Sequence, residues 1–251
     1  GDPLFLRSGR GIRPTSRAKS LREQVQSLLD NMKSLTAERV FDPNAEKMEF
    51  VVAANDFQRD LLFPPLLREL EAEGIDTRFS FLPGGVPTIN LLQEARCHLV
   101  ITPFPPQGAD IIQSALFEDH VACFFDSEMR DAPNGEPEFL ASEYIEVRFA
   151  DYTSALEALS SLDVAKLREP KITVPNFAAL ADFIKGTQLI TTQISSMKLG
   201  PLAGLDTAEL PFENERLTLY LAWHRREHSD PAHTWLRQRL KAVAHKALNG
   251  Q

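Results

Sequence analysis

From Met48 onward, apolar runs of strand length alternate with helical stretches. This alternation restricts the chain to an α/β fold built on mainly parallel sheets covered on both faces. MEFVVAAN (48–55) reads as a buried strand. Residues 61–73, carrying Leu62, Leu66, Leu67 and Leu70, read as a helix entered through Pro64-Pro65. TRFSFL (77–82) is the next strand. A PGG turn and a helix over 88–96 come next, then a third strand, HLVITPF (98–104), and VACFF (121–125). After a polar loop (126–138) the cycle restarts. Strands are expected at 144–150, 171–174 and 188–193, with helices at 153–162 and 176–186 and a short one at 194–199. Strand 217–224 and a closing amphipathic helix, 231–248, complete the chain. Two βαβ sets of similar length predict two Rossmann-like lobes joined by two crossover strands, 121–125 and 217–224. Lobe I takes 46–123 and 220–251, and lobe II takes 124–219. A cleft at the carboxyl ends of such strands is where this architecture binds ligands.

Upstream of Met48 the pattern differs. Residues 3–14 read as a hairpin turning at Ser8-Gly9-Arg10-Gly11, after which Thr15 or Ser16 can cap a helix. Ala18, Leu21, Val25, Leu28, Met32 and Leu35 are spaced 3, 4, 3, 4, 3, which is a heptad seam. A narrow apolar stripe on a wet helix wants a partner helix, so Leu21, Val25, Leu28, Met32 and Leu35 are candidate dimerisation residues. Residues 16–45 are then a linker helix and hinge, and 1–15 a separate head. Residues 1–40 hold eight Lys/Arg against four acids, while the whole chain carries a net charge of −8. A basic arm on an acidic body suits contact between the arm and a polyanion.

With 43% hydrophobic and 25% charged residues the composition is that of an ordinary globular protein. No apolar run approaches the ~20 residues a bilayer helix needs, so no membrane association is expected. Cys97 and Cys123 sit in apolar runs and read as buried reduced thiols of a cytoplasmic protein. No secretory signal is expected, and a chain without an initiator Met reads as a fragment or a processed chain. No catalytic constellation appears, so no enzyme, no cofactor and no metal are predicted; the i,i+4 pair His224 and His228 falls where a strand ends. Candidate ligand positions are strand ends that lead into helices. They are Asn55, Asp56 and Phe57; Thr102 and Phe104; Asn176 and Phe177; and Thr191 and Thr192. Backbone amides there, with Asn, Thr and aromatic side chains, suit a small carboxylate. Two other classes remain open. One is a solute-binding protein with the same two lobes, which a strictly monomeric chain would favour. The other is an α/β enzyme, which turnover of a bound ligand would reveal.

Several stretches resemble the LysR-type transcriptional regulators. DPLFLRSGRGIRPTSRA (2–18) is similar to the wing and exit of their winged helix-turn-helix, and the heptad helix to their linker helix. FVVAANDFQRDLLFPPLLRELEA (50–72) resembles the first strand and helix of their effector domain. VPNFAALADFIKGTQLITT (174–192) and LYLAWHRREHSDPAHTWLRQRL (219–240) resemble the branch of nodulation and naphthalene/salicylate regulators. The resemblance implies a type 2 periplasmic-binding-protein-like fold, double-stranded DNA as partner of the full-length protein, and a homodimer or homotetramer. It also implies a small-molecule effector, an aromatic acid in this branch, held between the lobes by the positions above together with Trp223 and His224. Arg7, Ser8, Arg10 and Arg13 would be the wing's DNA contacts, which position the protein without reading sequence. The chain departs from the family pattern at Ala95, where Gly is frequent, at His98, where an acid is usual, and at Ile194, where Pro is frequent. Asn176 stands where aromatic-acid sensors often have His, so a carboxylate would be met by Arg148 or by helix-end amides.

Overall fold

The computed structural model describes residues 4–8, 11–18, 20–22, 25, 41–83, 87–149, 168–212 and 216–250. The chain divides into two units, Gly1–Phe41 and Asp42–Gln251. In the first, β1 (Phe5–Ser8) and β2 (Gly11–Pro14) form the expected antiparallel hairpin, with Arg7 opposite Ile12 and Leu6 opposite Arg13. The Thr15 N–H closes it by donating to the Leu4 carbonyl at 3.0 Å. Thr15, rather than Ser16, caps the succeeding helical turn, its Oγ1 accepting the Ala18 N–H at 3.2 Å. Residues 16–18, 20–22 and 25 are helical, with Leu21 half-buried and Val25 exposed. Arg10, Leu28, Met32, Leu35 and the helix expected at 153–162 lie outside the described residues.

The second unit holds two sheets laid out on one plan. In the first lobe, β3 (Met48–Ala54) lies parallel to β4 (Thr77–Pro83) and to β5 (Leu99–Thr102). β6 (Ile111–Asp119) and β12 (Leu217–His224) complete the order β4-β3-β5-β12-β6, with β12 antiparallel to both neighbours. In the second lobe, β8 (Ile145–Val147) pairs parallel with β9 (Ile172–Val174), and a parallel bridge from Tyr144 to Ile190 ties them to β10 (Thr191–Ile194). β10 pairs antiparallel with β7 (Val121–Phe125), and β7 with β11 (Asp206–Ala208). Through the bridge, the order is β9-β8-β10-β7-β11, with the same sequence of parallel and antiparallel neighbours as in the first lobe.

This register corrects the assignment of the crossover strands. β7 belongs wholly to the second sheet and β12 wholly to the first, so the chain crosses between Asp119 and Val121 and again ahead of Leu217. β6 is an addition to the expected strands, because only Asp119 of its nine residues is buried and it carries no continuous apolar run. Helix α1 (Asp56–Glu73) starts five residues before the expected 61, and both prolines lie inside it. Its start is fixed by a capping box in which the Asn55 side chain accepts the Gln58 N–H at 2.9 Å and the Gln58 side chain accepts the Asn55 N–H at 3.1 Å. Pro64 and Pro65 cannot donate to the carbonyls one turn back. Burial of Phe57, Leu62, Phe63, Leu66 and Leu70, at roughly 1.5–3 kcal/mol each, outweighs that loss.

The short α2 (Ile89–Gln93) covers one face of the first sheet through Leu92, against Ala53, Val100 and Ala222. α3 (Gly135–Ala141) begins within the stretch expected to be a polar loop, and Phe139 anchors it to Val121, Cys123 and Phe125. α4 (Leu180–Ile184) buries Leu180 and Ile184 in the second lobe. The closing α5 (Pro231–Asn249) packs along α1, tied by Arg239 to Glu73 and by Lys246 to Glu69 at 2.7 Å. Among the described residues no helix is long and apolar enough to cross a membrane.

Candidate functional site

The parallel strands of the first sheet end at Ala54, Pro83 and Thr102, and extending the β3–β5 register sets Asn55 alongside Thr102. In the second sheet Ile194, at the carboxyl end of β10, lies opposite Val121, the first residue after the crossing. The carboxyl ends of β5 and β10 therefore both lie toward the crossings. A carboxylate holds the junction. Asp119 accepts the His120 N–H at 2.8 Å, the Ser195 hydroxyl at 2.6 Å and the Ser196 N–H at 3.0 Å, while the Ser195 N–H donates to the His120 carbonyl. The sequence offers no sign of this role, since a lone acid at a strand end looks like solvated surface.

Of the candidate residues, Asp56, Phe57 and Phe177 make contacts between the lobes. Asn55, Asp56 and Phe57 start α1, and the Asp56 carboxylate accepts the N–H of Ala178, in the second lobe, at 2.8 Å. Asn176 turns inward on its own loop, its Oδ1 accepting the Ala179 N–H at 3.2 Å. Phe57 is 1% exposed and shares one apolar cluster with Phe177, Ala122, Phe124, Ile145 and Val147. Cross-strand partners share a sheet face. Thr191 lies opposite Phe124 and Gln193 opposite Ala122, so both face that cluster. Thr192 lies opposite Cys123 and faces the other side. On the first lobe's edge, the Thr102 hydroxyl accepts the Phe104 N–H at 3.0 Å and shapes the turn.

Gln193 escapes a reading of the sequence. It is 1% exposed; its Nε2 reaches the Thr191 hydroxyl at 3.4 Å, and its Oε1 has no hydrogen-bond partner among the described residues. A buried amide oxygen without a donor costs about 1–3 kcal/mol. Its one signal is the polar TTQ run inside a strand that buries every residue. Because a threonine hydroxyl both donates and accepts, the amide can turn to offer a ligand either its oxygen or its nitrogen.

Trp223 and His224 do not join this group. β12 runs antiparallel, and Tyr220 sits opposite Thr102, so His224 lies roughly 13 Å away toward the other edge. There Trp223 packs under α5, with the Arg237 guanidinium 4.3 Å from its ring centre and the His228 ring stacked on it. The His224 Nδ1 accepts the Arg226 N–H and caps a 3-10 turn. Arg148, the expected partner for a carboxylate, already pairs with the buried Glu146 at 2.5 Å.

Two family departures have local causes. Ala95 has φ of 55°, a left-handed conformation that glycine adopts freely. The His98 Nδ1 accepts the Val51 N–H at 2.9 Å, a bond a carboxylate could equally accept. Both thiols are buried, and burial pushes Cys97 up to about 11 and Cys123 up to about 12, so neither forms a thiolate at neutral pH.

The family model described as LysR substrate binding domain matches residues 44–245. The chain is 26% identical to the HTH-type transcriptional regulator LinR of Sphingobium indicum, over 100% of this chain and 84% of LinR. It is 28% identical to the HTH-type transcriptional activator NagR of a Ralstonia species, over 94% of this chain and 81% of NagR. Among solved structures, a probable transcriptional regulator from Pseudomonas aeruginosa superposes with a TM-score of 0.66 at 25% identity, over 95% of this chain and 81% of that one.

Proposed function

The chain belongs to the LysR substrate binding domain family, and on that premise we propose that its cleft takes a small aromatic acid. It is the effector-binding region of a LysR-type transcriptional regulator. The aromatic ring lies between the first-lobe Phe57 and the second-lobe Phe177. Its polar group meets the Gln193 amide, beside Thr191, and the edge formed by Asn55, Thr102, Phe104 and Asn176. One observation carries this reading: Gln193 is buried with an amide oxygen that no described residue bonds, on the sheet face that meets Phe57. A ligand that bonds this amide while displacing Phe57 changes how the lobes hold one another through the Asp56–Ala178 bond, and so changes the spacing of whatever each protomer presents to DNA.

We further read the protein as a cytoplasmic sensor rather than an enzyme, acting as a homodimer or homotetramer. The seam of Leu21, Val25, Leu28, Met32 and Leu35 joins copies, and Arg7, Ser8, Arg10 and Arg13 rest on phosphates. Leu21→Glu with Leu28→Glu should shift the sedimenting species toward monomer; an unchanged oligomer would show that other interfaces dominate.

Thermal unfolding with benzoate and salicylate tests the ligand class. At about a hundred times Kd, a binder should add about 2.7 kcal/mol of stability. Gln193→Leu and Asn176→Ala should each remove most of that gain while the protein still folds. If neither acid stabilises the chain, the ligand class is wrong. If a gain survives in both variants, the ligand sits elsewhere.

A further inference from the structure

A cavity of about 590 Å3 opens beside the crossings, and none of its lining residues belongs to the cleft described above. Its wall comes from the end of β6, the turn after β10, the approach to β12 and Leu248 on α5. Most of its charge is already balanced. The Asp119 carboxylate accepts three hydrogen bonds, and Glu118 pairs with Arg216 at 3.4 Å. Among the described residues, what remains is one cation, one anion and one hydroxyl. Lys198 has no ion-pair partner among the described residues. Among the described charged groups Glu209 faces only the His120 ring, at 3.9 Å. Ser196 is 4% exposed, and its hydroxyl has no hydrogen-bond partner among the described residues. Leu199 and Leu248 add an apolar side.

We propose that this hinge cavity binds a free α-amino acid with an aliphatic side chain. The ligand's carboxylate meets Lys198 and the Ser196 hydroxyl, its ammonium meets Glu209, and its side chain lies on Leu199 and Leu248. A ligand carrying only one of these charges would leave either Lys198 or Glu209 without a counter-charge. Because the walls come from both crossings, an occupied cavity favours one lobe angle over others, independently of the cleft.

Titration calorimetry on the chain with L-leucine tests the proposal, with 4-methylpentanoate, which lacks the ammonium, and 3-methylbutylamine, which lacks the carboxylate, as comparisons. L-leucine should bind saturably, and each comparison compound about tenfold more weakly or worse. Lys198→Met and Glu209→Gln change exposed side chains and leave the fold intact, which a thermal melt verifies; each should weaken L-leucine about tenfold. Thr102→Val should leave L-leucine binding unchanged, which separates this site from the cleft and its aromatic-acid test. The proposal is overturned if no saturable heat appears up to about 10 mM, if 4-methylpentanoate binds as well as L-leucine, or if Thr102→Val rather than Lys198→Met abolishes binding.

Discussion

β5 and β10 hold the central position in their respective sheets, and both bury all four of their residues. Their chemistry is reversed. β5 reads Leu-Val-Ile-Thr, with its polar residue only at the cleft edge. β10 reads Thr-Thr-Gln-Ile, with polar groups along its length and an apolar residue at the crossing. Buried apolar side chains stabilise their sheet; a buried amide without a partner weakens its own. The first lobe is thus an apolar platform with polarity only at its rim. The second keeps polar side chains inside its sheet, away from water.

The sharpest way to break this contrast is to truncate the apolar strand. Leu99→Ala removes a fully buried side chain and should lower unfolding stability by about 2–5 kcal/mol, read from urea midpoints. The reciprocal change, Gln193→Leu, should raise stability by about 1 kcal/mol while ending the response to aromatic acids. A loss comparable to that of Leu99→Ala would make β10's polar run a structural network and erase the contrast.

Acid should weaken the first lobe less than that truncation. His233 lies in the first turn of α5, its Nε2 bonded to the His98 carbonyl at 3.0 Å and its Nδ1 facing Arg237. Burial, the largest cause, holds its pKa below the ordinary 6.5; the bond to the His98 carbonyl pulls the other way, and the Arg237 charge adds to the lowering. As pH falls below about 6.5 the unfolded chain takes up this proton before the folded one, so stability falls until the folded pKa is passed. Thermal melts across that range should show this slope in the wild type and a flatter one in His233→Gln, which can still donate to the carbonyl.

Asn55→Ala removes half of the capping box and should cost about 1 kcal/mol. The smallest expected change is a gain: Ala95→Gly should add about 0.5 kcal/mol by relieving the left-handed backbone. No gain there would mean that glycine's extra freedom in the unfolded chain offsets the relief.

The strands with continuous apolar runs are legible because their periodicity is a burial record: β3, β5, β7 and β12 all lie within a few residues of the expected stretches. The strand-end positions of Asn55 and Thr102 are legible too. β6 stays hidden because its pairing with β12 leaves it half-exposed, and α1's true start because the Pro-Pro pair outweighs the Asn55–Gln58 signal. Asp119 and Gln193 cannot be read either. Their roles depend on partners 76 residues away, as in the Ser195–Asp119 bond, or on an amide oxygen without a partner among the described residues. Trp223 and His224 are misplaced by sequence reasoning because strand direction, which decides which edge a residue reaches, is invisible in composition.

The double crossing also bears on how the protein is made. Within the first sheet β6 pairs only with β12, one of the last strands synthesised. A nascent chain therefore emerges from the ribosome with the second lobe's strands translated while the platform's outer strand still lacks its neighbour. Any pause or truncation before Leu217 would leave β6 as an open edge, and C-terminal deletions should yield aggregates rather than a smaller folded sensor.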